Sequence, residues 1–311
     1  MSLQDDPVDT IPVTRALRRS RGRWRIFAFV VLAVAALVGF ARFYPLMAPV
    51  GDVIARVTIS GTITTDPERT ALLEDLAEDD SVSAVIVAIN SPGGTTAGGE
   101  ELYASLRALA EQKPVVSTIG ELGASAAYMA AIATDRIYAR NLSIVGSIGV
   151  YYQHVDASGL FETLGVDLDK VASGPLKGKP DFDEPISPHV RDSLVELVDS
   201  SYRYFVDLVA ERRGLTRSDT LALADGRILS GVMAIDAGLI DAAGGETEAL
   251  AWLQTEREID PDLDIVPVWP RQRAPGWLDL LFGSLAGAFG ETGWPGLPLD
   301  GLVSLWHPQA R

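Results

Sequence analysis

The run from Ile26 to Ala41, IFAFVVLAVAALVGFA, carries no charged residue, and six arginines (15, 18, 19, 21, 23 and 25) stand directly before it. Such a run must enter a core, be lost by cleavage, or sit in a bilayer. At 1.5 Å per residue it reaches about 24 Å as a helix, a little short of the ~30 Å hydrocarbon layer. Arg42 can extend its head group to the interface, and Phe43 and Tyr44 suit an interfacial belt. A cleaved secretory signal competes, but the 25-residue basic region is long for one and no clear A-x-A site follows. The expectation is an uncleaved single-pass anchor at 26–48 behind a basic cytoplasmic stub at 1–25. The positive-inside rule then puts residues from 51 onward on the periplasmic or extracytoplasmic side of an inner (cytoplasmic) membrane.

Charge divides the same way. The first 50 residues hold seven Arg against three Asp, a net of +4, so the other 261 carry −20 of a chain whose total is −16. That acidity argues against a nucleic-acid partner. The 47% hydrophobic content excludes a disordered chain, and the absence of cysteine excludes a disulfide framework, a cysteine nucleophile and thiolate metal sites.

Beyond the anchor, strands and helices alternate at roughly 30-residue spacing. VIARVTIS (53–60) predicts a strand, and residues 66–80 a helix with Asp66 as N-cap and Pro67 in its first turn. SAVIVAIN (83–90) is a near-continuous apolar run, as for a strand covered on both faces. A helix over 100–112 puts Leu102, Leu106 and Leu109 on one side. Strands are expected at 114–120, 136–139 and 147–152, and a small-residue helix at 124–133. A long amphipathic helix (188–213) and shorter ones near 217–224, 230–237 and 246–256 complete the body. The pattern is α/β with parallel pairing. Residues 274–311 differ: they are rich in Gly, Pro, Leu and Trp, which fits a poorly ordered tail, or a segment lying on the membrane or packed on a neighbouring subunit.

Three places could carry chemistry. Asn90-Ser91-Pro92-Gly93-Gly94 follows the buried strand, where adjacent glycines leave backbone N–H groups unshielded for an oxyanion; an ordinary βα turn reads the same way. Ser125, in GASAAY between a strand and a helix, sits where free N–H groups favour negative charge; it could equally be a simple N-cap. Lys177, in Ser173-Gly174-Pro175-Leu176-Lys177, is one of only four lysines (113, 170, 177, 179). A desolvated lysine can give up its proton where arginine cannot, although a solvated surface lysine is the commoner case. The three histidines, at 154, 189 and 307, form no metal-binding pair and fit a Ser-His-Asp order poorly. Ser with Lys is the economical pair.

In order, AINSPGG, GASAAYMAA, GSIGV (146–150), SGPLK and the later ALADGRILSGVMAIDAGLIDAAGG (222–245) resemble the S49 serine peptidase family, in its short bacterial signal peptide peptidase type. That family lies in the ClpP/crotonase-like superfamily. The resemblance implies ββα units around parallel sheets in a peptidase domain over 52–255, followed by a C-terminal strand and apolar tail over 256–311. It implies Ser125 as nucleophile, Lys177 as general base, the backbone N–H groups of Gly94 and Ala126 as oxyanion hole, and Ser147 orienting the lysine. It also implies a homo-oligomer whose active sites are shared between protomers, signal-peptide remnants and other apolar extended peptides as substrates, and no cofactor or metal. Ala126-Ala127 replaces the family's Gly-Gly, and Lys179 lies close enough to compete with Lys177. A crotonase-like acyl-CoA enzyme and a catalytically silent membrane scaffold or binding module are the competing functions.

Overall fold

The computed structural model describes residues 27–34, 52–270 and the backbone of 302–305. The chain divides into two compact units, Met1–Gly51 and Asp52–Arg311. In the first, residues 27–34 form a helix (α1) with exposed side chains. The rest of the expected anchor and all of the stub lie outside the described residues. Among the described residues no helix is long and apolar enough to cross a membrane.

The second unit is a mixed α/β fold on a parallel sheet. Its chain runs β1 (Val53–Ile63), α2 (Pro67–Glu78), β2 (Val82–Thr95), α3 (Thr96–Ala110), β3 (Val115–Ala124), α4 (Ala126–Ile132) and β4 (Arg136–Ala139). Strands β1 to β4 lie side by side in chain order and in parallel. Two later strands extend this row in parallel: β8 (Ala242–Ala243) beside β4, and β9 (Ile265–Trp269) beside β1.

Alternation along the strands explains the two-sided burial. Ala55, Val57, Val85, Val87 and Val115 face one core with α2, α3, α4 and α6 (Pro188–Arg213). Ile54, Ala84, Ile86 and Val116 face a smaller one closed by Trp252 and Leu253 of α9 (Glu246–Glu256). The predicted stripe of Leu102, Leu106 and Leu109 is fully buried on α3. Asp66 caps α2, its Oδ1 accepting the N–H groups of Glu68 and Arg69, each at 3.1 Å.

Two segments depart from expectation. The chain does not turn at Asn90-Ser91-Pro92-Gly93-Gly94; β2 runs on through it to Thr95. Beside it β1 continues past an irregularity, with Thr62 opposite Gly93 and Ile63 opposite Gly94. At that irregularity Ser91 Oγ donates to the Gly61 carbonyl (2.6 Å) and accepts the Gly93 N–H (3.1 Å), replacing ladder bonds. Of the strand expected at 147–152 only Tyr151–Tyr152 (β6) is one; β5 (Ile144–Gly146) lies before it, and at Ser147, with φ 51°, the chain turns. Helix α5 (Ser158–Leu164), α7 (Arg217–Leu223), β7 (Ile228–Ser230), α8 (Gly231–Asp236) and a last strand β10 (Leu302–Leu305) complete the elements.

Candidate active site

Parallel strands present their carboxyl ends to one edge of a sheet, where side chains and loops from successive units meet. At that edge β3 changes partner. Its first half pairs with β4 through Val116–Ile119, and its end pairs with β5, Ala124 lying opposite Gly146. The residues that follow this pair are Ser125 and Ser147, so register alone makes the two serines neighbours.

Ser125 is the single residue between β3 and α4. Its φ of 60° and ψ of −123° are rare for a residue with a side chain, and strain of this kind survives only where the surroundings hold it. Here the Ser125 N–H donates to the Gly146 carbonyl (2.8 Å) and its carbonyl accepts the Met129 N–H (2.9 Å). The side chain caps no N–H of α4, so it does not serve as the helix N-cap that the sequence allowed. Ala124, Ala126 and Ala127 around it, like Ser125 itself, have no exposed surface. Helix α4 is fixed from below by Tyr128, whose hydroxyl donates to the Leu239 carbonyl at 2.7 Å. Burial pushes that hydroxyl well above the ordinary tyrosine range.

Ser147 also has a positive φ, and its N–H donates to the Arg227 carbonyl at 2.8 Å. Arg227 in turn grips Asp225 with two bonds, Nε to Oδ1 at 2.8 Å and Nη2 to Oδ2 at 2.6 Å. The Arg227 guanidinium, with the Arg227 backbone N–H, brings the Asp225 carboxyl down to about 2. This support was not assigned from sequence, although the ADGR stretch that supplies it was visible there.

Gly94 stands where only glycine fits, since a Cβ would lie 1.8 Å from the Ile63 carbonyl oxygen. Gly93 beside it takes φ 102°. Helix α3 starts at once, its N–H at Gly98 held by Thr95 Oγ1 (3.0 Å), and Gly99 lets it pack on α4: a Cβ there would meet the Ala126 Cβ at 2.9 Å. Gly94, Ser125, Ala126 and Ser147 therefore all stand at the carboxyl ends of β2, β3 and β5.

Lys177 stands in other surroundings. From Tyr151 to His189 no residue is buried, and Lys177 is exposed within that stretch. The neighbouring lysines are engaged, Lys170 with Asp181 and Lys179 with Glu184. Among the described residues Lys177 enters no ion pair, and its backbone N–H closes a turn onto the Gly174 carbonyl at 3.2 Å.

Known proteins are similar to this chain in sequence. A family profile described as Peptidase family S49 matches residues 107–260. A Synechocystis protein provisionally named a protease is 36% identical over 211 residues, covering 67% of this chain and 76% of its own. The chain belongs to peptidase family S49. The S49 match takes in Ser125, Ala126, Ser147 and Lys177 and begins after Gly94. A protein of Methanocaldococcus jannaschii, also provisionally named a protease, is 39% identical over 183 residues, 59% of each chain. Protease 4 of Haemophilus influenzae is 30% identical over 207 residues, and this S49 chain spans 63% of its own length but only 34% of that protein.

Proposed function

We propose that the protein is a membrane-anchored serine endopeptidase with a Ser125/Lys177 dyad, cutting apolar, extended peptides such as signal-peptide remnants. The observation that carries this reading is Ser125 itself: a serine in strained backbone at the carboxyl edge of a parallel sheet, flanked in sequence by buried alanines. Strain at a buried nucleophilic side chain is where a fold invests in function.

The mechanism runs through an acyl-enzyme. The unprotonated amine of Lys177 takes the proton of Ser125 Oγ as that oxygen attacks the scissile carbonyl carbon. The oxyanion accepts the N–H groups of Gly94 and Ala126, each such donor being worth about 3 kcal/mol in the transition state. The C–N bond breaks, and the leaving amine departs with the proton held by Lys177. A water molecule, deprotonated by the same amine, then releases the acid. Ser147, beside Ser125 in register, orients the lysine. Lys177 rather than Lys179 is favoured because Lys179 is occupied by Glu184.

An exposed amine needs drier surroundings to act as a base. The loop around it exposes apolar side chains, Leu168, Val171, Leu176 and Phe182, among its charged ones. A second copy packed on this loop would desolvate the lysine and build the site between protomers. In this reading residues 26–48 anchor the chain in the inner membrane, 52–255 form the peptidase domain outside the cytoplasm, and 256–311 follow as strand and tail.

The test is hydrolysis of an apolar peptide by the full chain in detergent. Ser125→Ala and Lys177→Ala should each cost at least about 10³-fold in kcat, while Lys179→Ala retains activity. Activity surviving in Ser125→Ala would remove the nucleophile assignment, and an inert parent chain would leave the silent scaffold.

A further inference from the structure

Among the described residues Arg69 is the only charged side chain that is buried, with 6% of its surface exposed. The dyad, the oxyanion donors and the Ser147 turn make no use of it. Burial pulls its guanidinium below the ordinary arginine range, and the Asp66 and Glu101 carboxylates oppose that. Exchanging a buried ion pair for uncharged side chains is often neutral or stabilising, so stability alone does not account for Arg69 and Glu101.

What the pair holds is one corner of the chain. Residues 64–66 link β1 to α2, and Arg69 stands on α2, Glu101 on α3. Arg69 Nη2 donates to the Thr64 carbonyl at 2.8 Å and lies 3.5 Å from Glu101 Oε1. The same Oε1 accepts the Asp66 N–H at 2.7 Å. Two glycines let this corner press on the segment that carries the candidate oxyanion donor. A Cβ on Gly98 would stand 2.5 Å from the Thr64 carbonyl carbon, and one on Gly94 1.8 Å from the Ile63 oxygen. Ile63 and Gly94 are also paired across β1 and β2.

Gly94 needs such a wall. It follows Gly93, at φ 102°, and neither has a side chain to resist rotation of the peptide between them. That peptide carries the Gly94 N–H, and an oxyanion donor contributes only when it is aimed at the developing charge. We infer that Arg69 and Glu101 are positioning residues for the reaction: they fix the 64–66 corner, the corner fixes the Ile63–Gly94 pair, and the pair aims the Gly94 N–H. This rests on the peptidase reading above and adds to it the two side chains that set one of its oxyanion donors.

The test compares the full chain in detergent with Arg69→Met/Glu101→Gln, which removes both charges so that neither is left unpaired. Turnover of an apolar peptide should lose about 10- to 100-fold in kcat, with KM within about twofold, because the pair touches no substrate. A peptide aldehyde, to which Ser125 Oγ adds to give a tetrahedral adduct, should lose affinity by the same factor. Affinity for the uncleaved peptide, measured in the Ser125→Ala background with and without the two substitutions, should not change. Should the double variant not fold, Arg69→Lys carries the comparison, with kcat and aldehyde affinity falling together while peptide affinity holds. An unmoved kcat would overturn the inference, and so would equal losses of aldehyde and peptide affinity, which mark a fold that has merely loosened. A parent chain that neither cuts peptide nor takes up the aldehyde brings down the peptidase reading itself, a result distinct from an active parent whose kcat the substitutions leave alone.

Discussion

A tyrosine hydroxyl with no exposed surface must find an acceptor, and Tyr128 finds the carbonyl of Leu239, 111 residues away. Tyr128→Phe keeps the ring and removes only the donor, leaving a buried carbonyl unpaired. The expected loss is about 1–3 kcal/mol in urea unfolding. Asp225 gives a prediction with a sign. Its folded value of about 2 lies below the ordinary carboxylate value of about 3.9. Its contribution to stability is therefore complete above pH ~4 and is lost as pH falls through ~2. Thermal midpoints of the parent and Asp225→Asn should differ at pH 5 and converge near pH 2. Midpoints that stay equal throughout would show that the Asp225–Arg227 grip does not hold the Ser147 turn.

Between elements, the close contact next to Ser125 is the approach of α3 to α4 at Gly99 and Ala126. Gly99→Ala puts a methyl 2.9 Å from the Ala126 Cβ, so one helix must give way. The expected cost is about 1–3 kcal/mol of stability. Because Ala126 follows Ser125, kcat should fall more than KM changes; a variant that unfolds earlier but retains full kcat would separate this packing from the chemistry. Most elements were legible because their signals are local. The β2 run, the α3 leucine stripe and the Asp66-Pro67 cap are each read within a few residues, and the structure has them where expected. What was not legible depends on partners far along the chain. Strand β2 passes through Ser91-Pro92-Gly93-Gly94 because β1 lies beside it and Ser91 repairs the ladder. The break at Ser147 comes from the Arg227 carbonyl, 80 residues on. Helix α5 buries nothing and so left no apolar periodicity to find. The candidate site rests on motifs around Gly94, Ser125 and Ser147, which the fold brings to the carboxyl ends of β2, β3 and β5, whereas the pairing that sets Lys177 apart from its neighbours belongs to loop carboxylates no spacing rule identifies.

At the scale of the whole molecule, 39 consecutive residues, Tyr151 to His189, have no buried side chain, and the proposed function packs a second copy on them. Light scattering of the detergent-solubilised chain should give a closed oligomer, and Val171→Asp with Leu176→Asp should shift it toward smaller species and lower activity together. A sharper measurement mixes inactive chains. If Ser125 of one copy works with Lys177 of the next, co-assembling equal amounts of Ser125→Ala and Lys177→Ala chains restores about a quarter of the sites. Dyads contained within one chain would restore none.

The fork in β3 has a further outcome. Where a strand turns away early, its neighbour is left with bare amides and carbonyls, and such a rim attracts whatever extended polypeptide is nearest, including the rim of another molecule. Leu302–Leu305 lies along that rim. Shortening the chain before Leu302 should therefore yield a preparation that clumps during concentration, which size-exclusion chromatography would show as a shift to larger species.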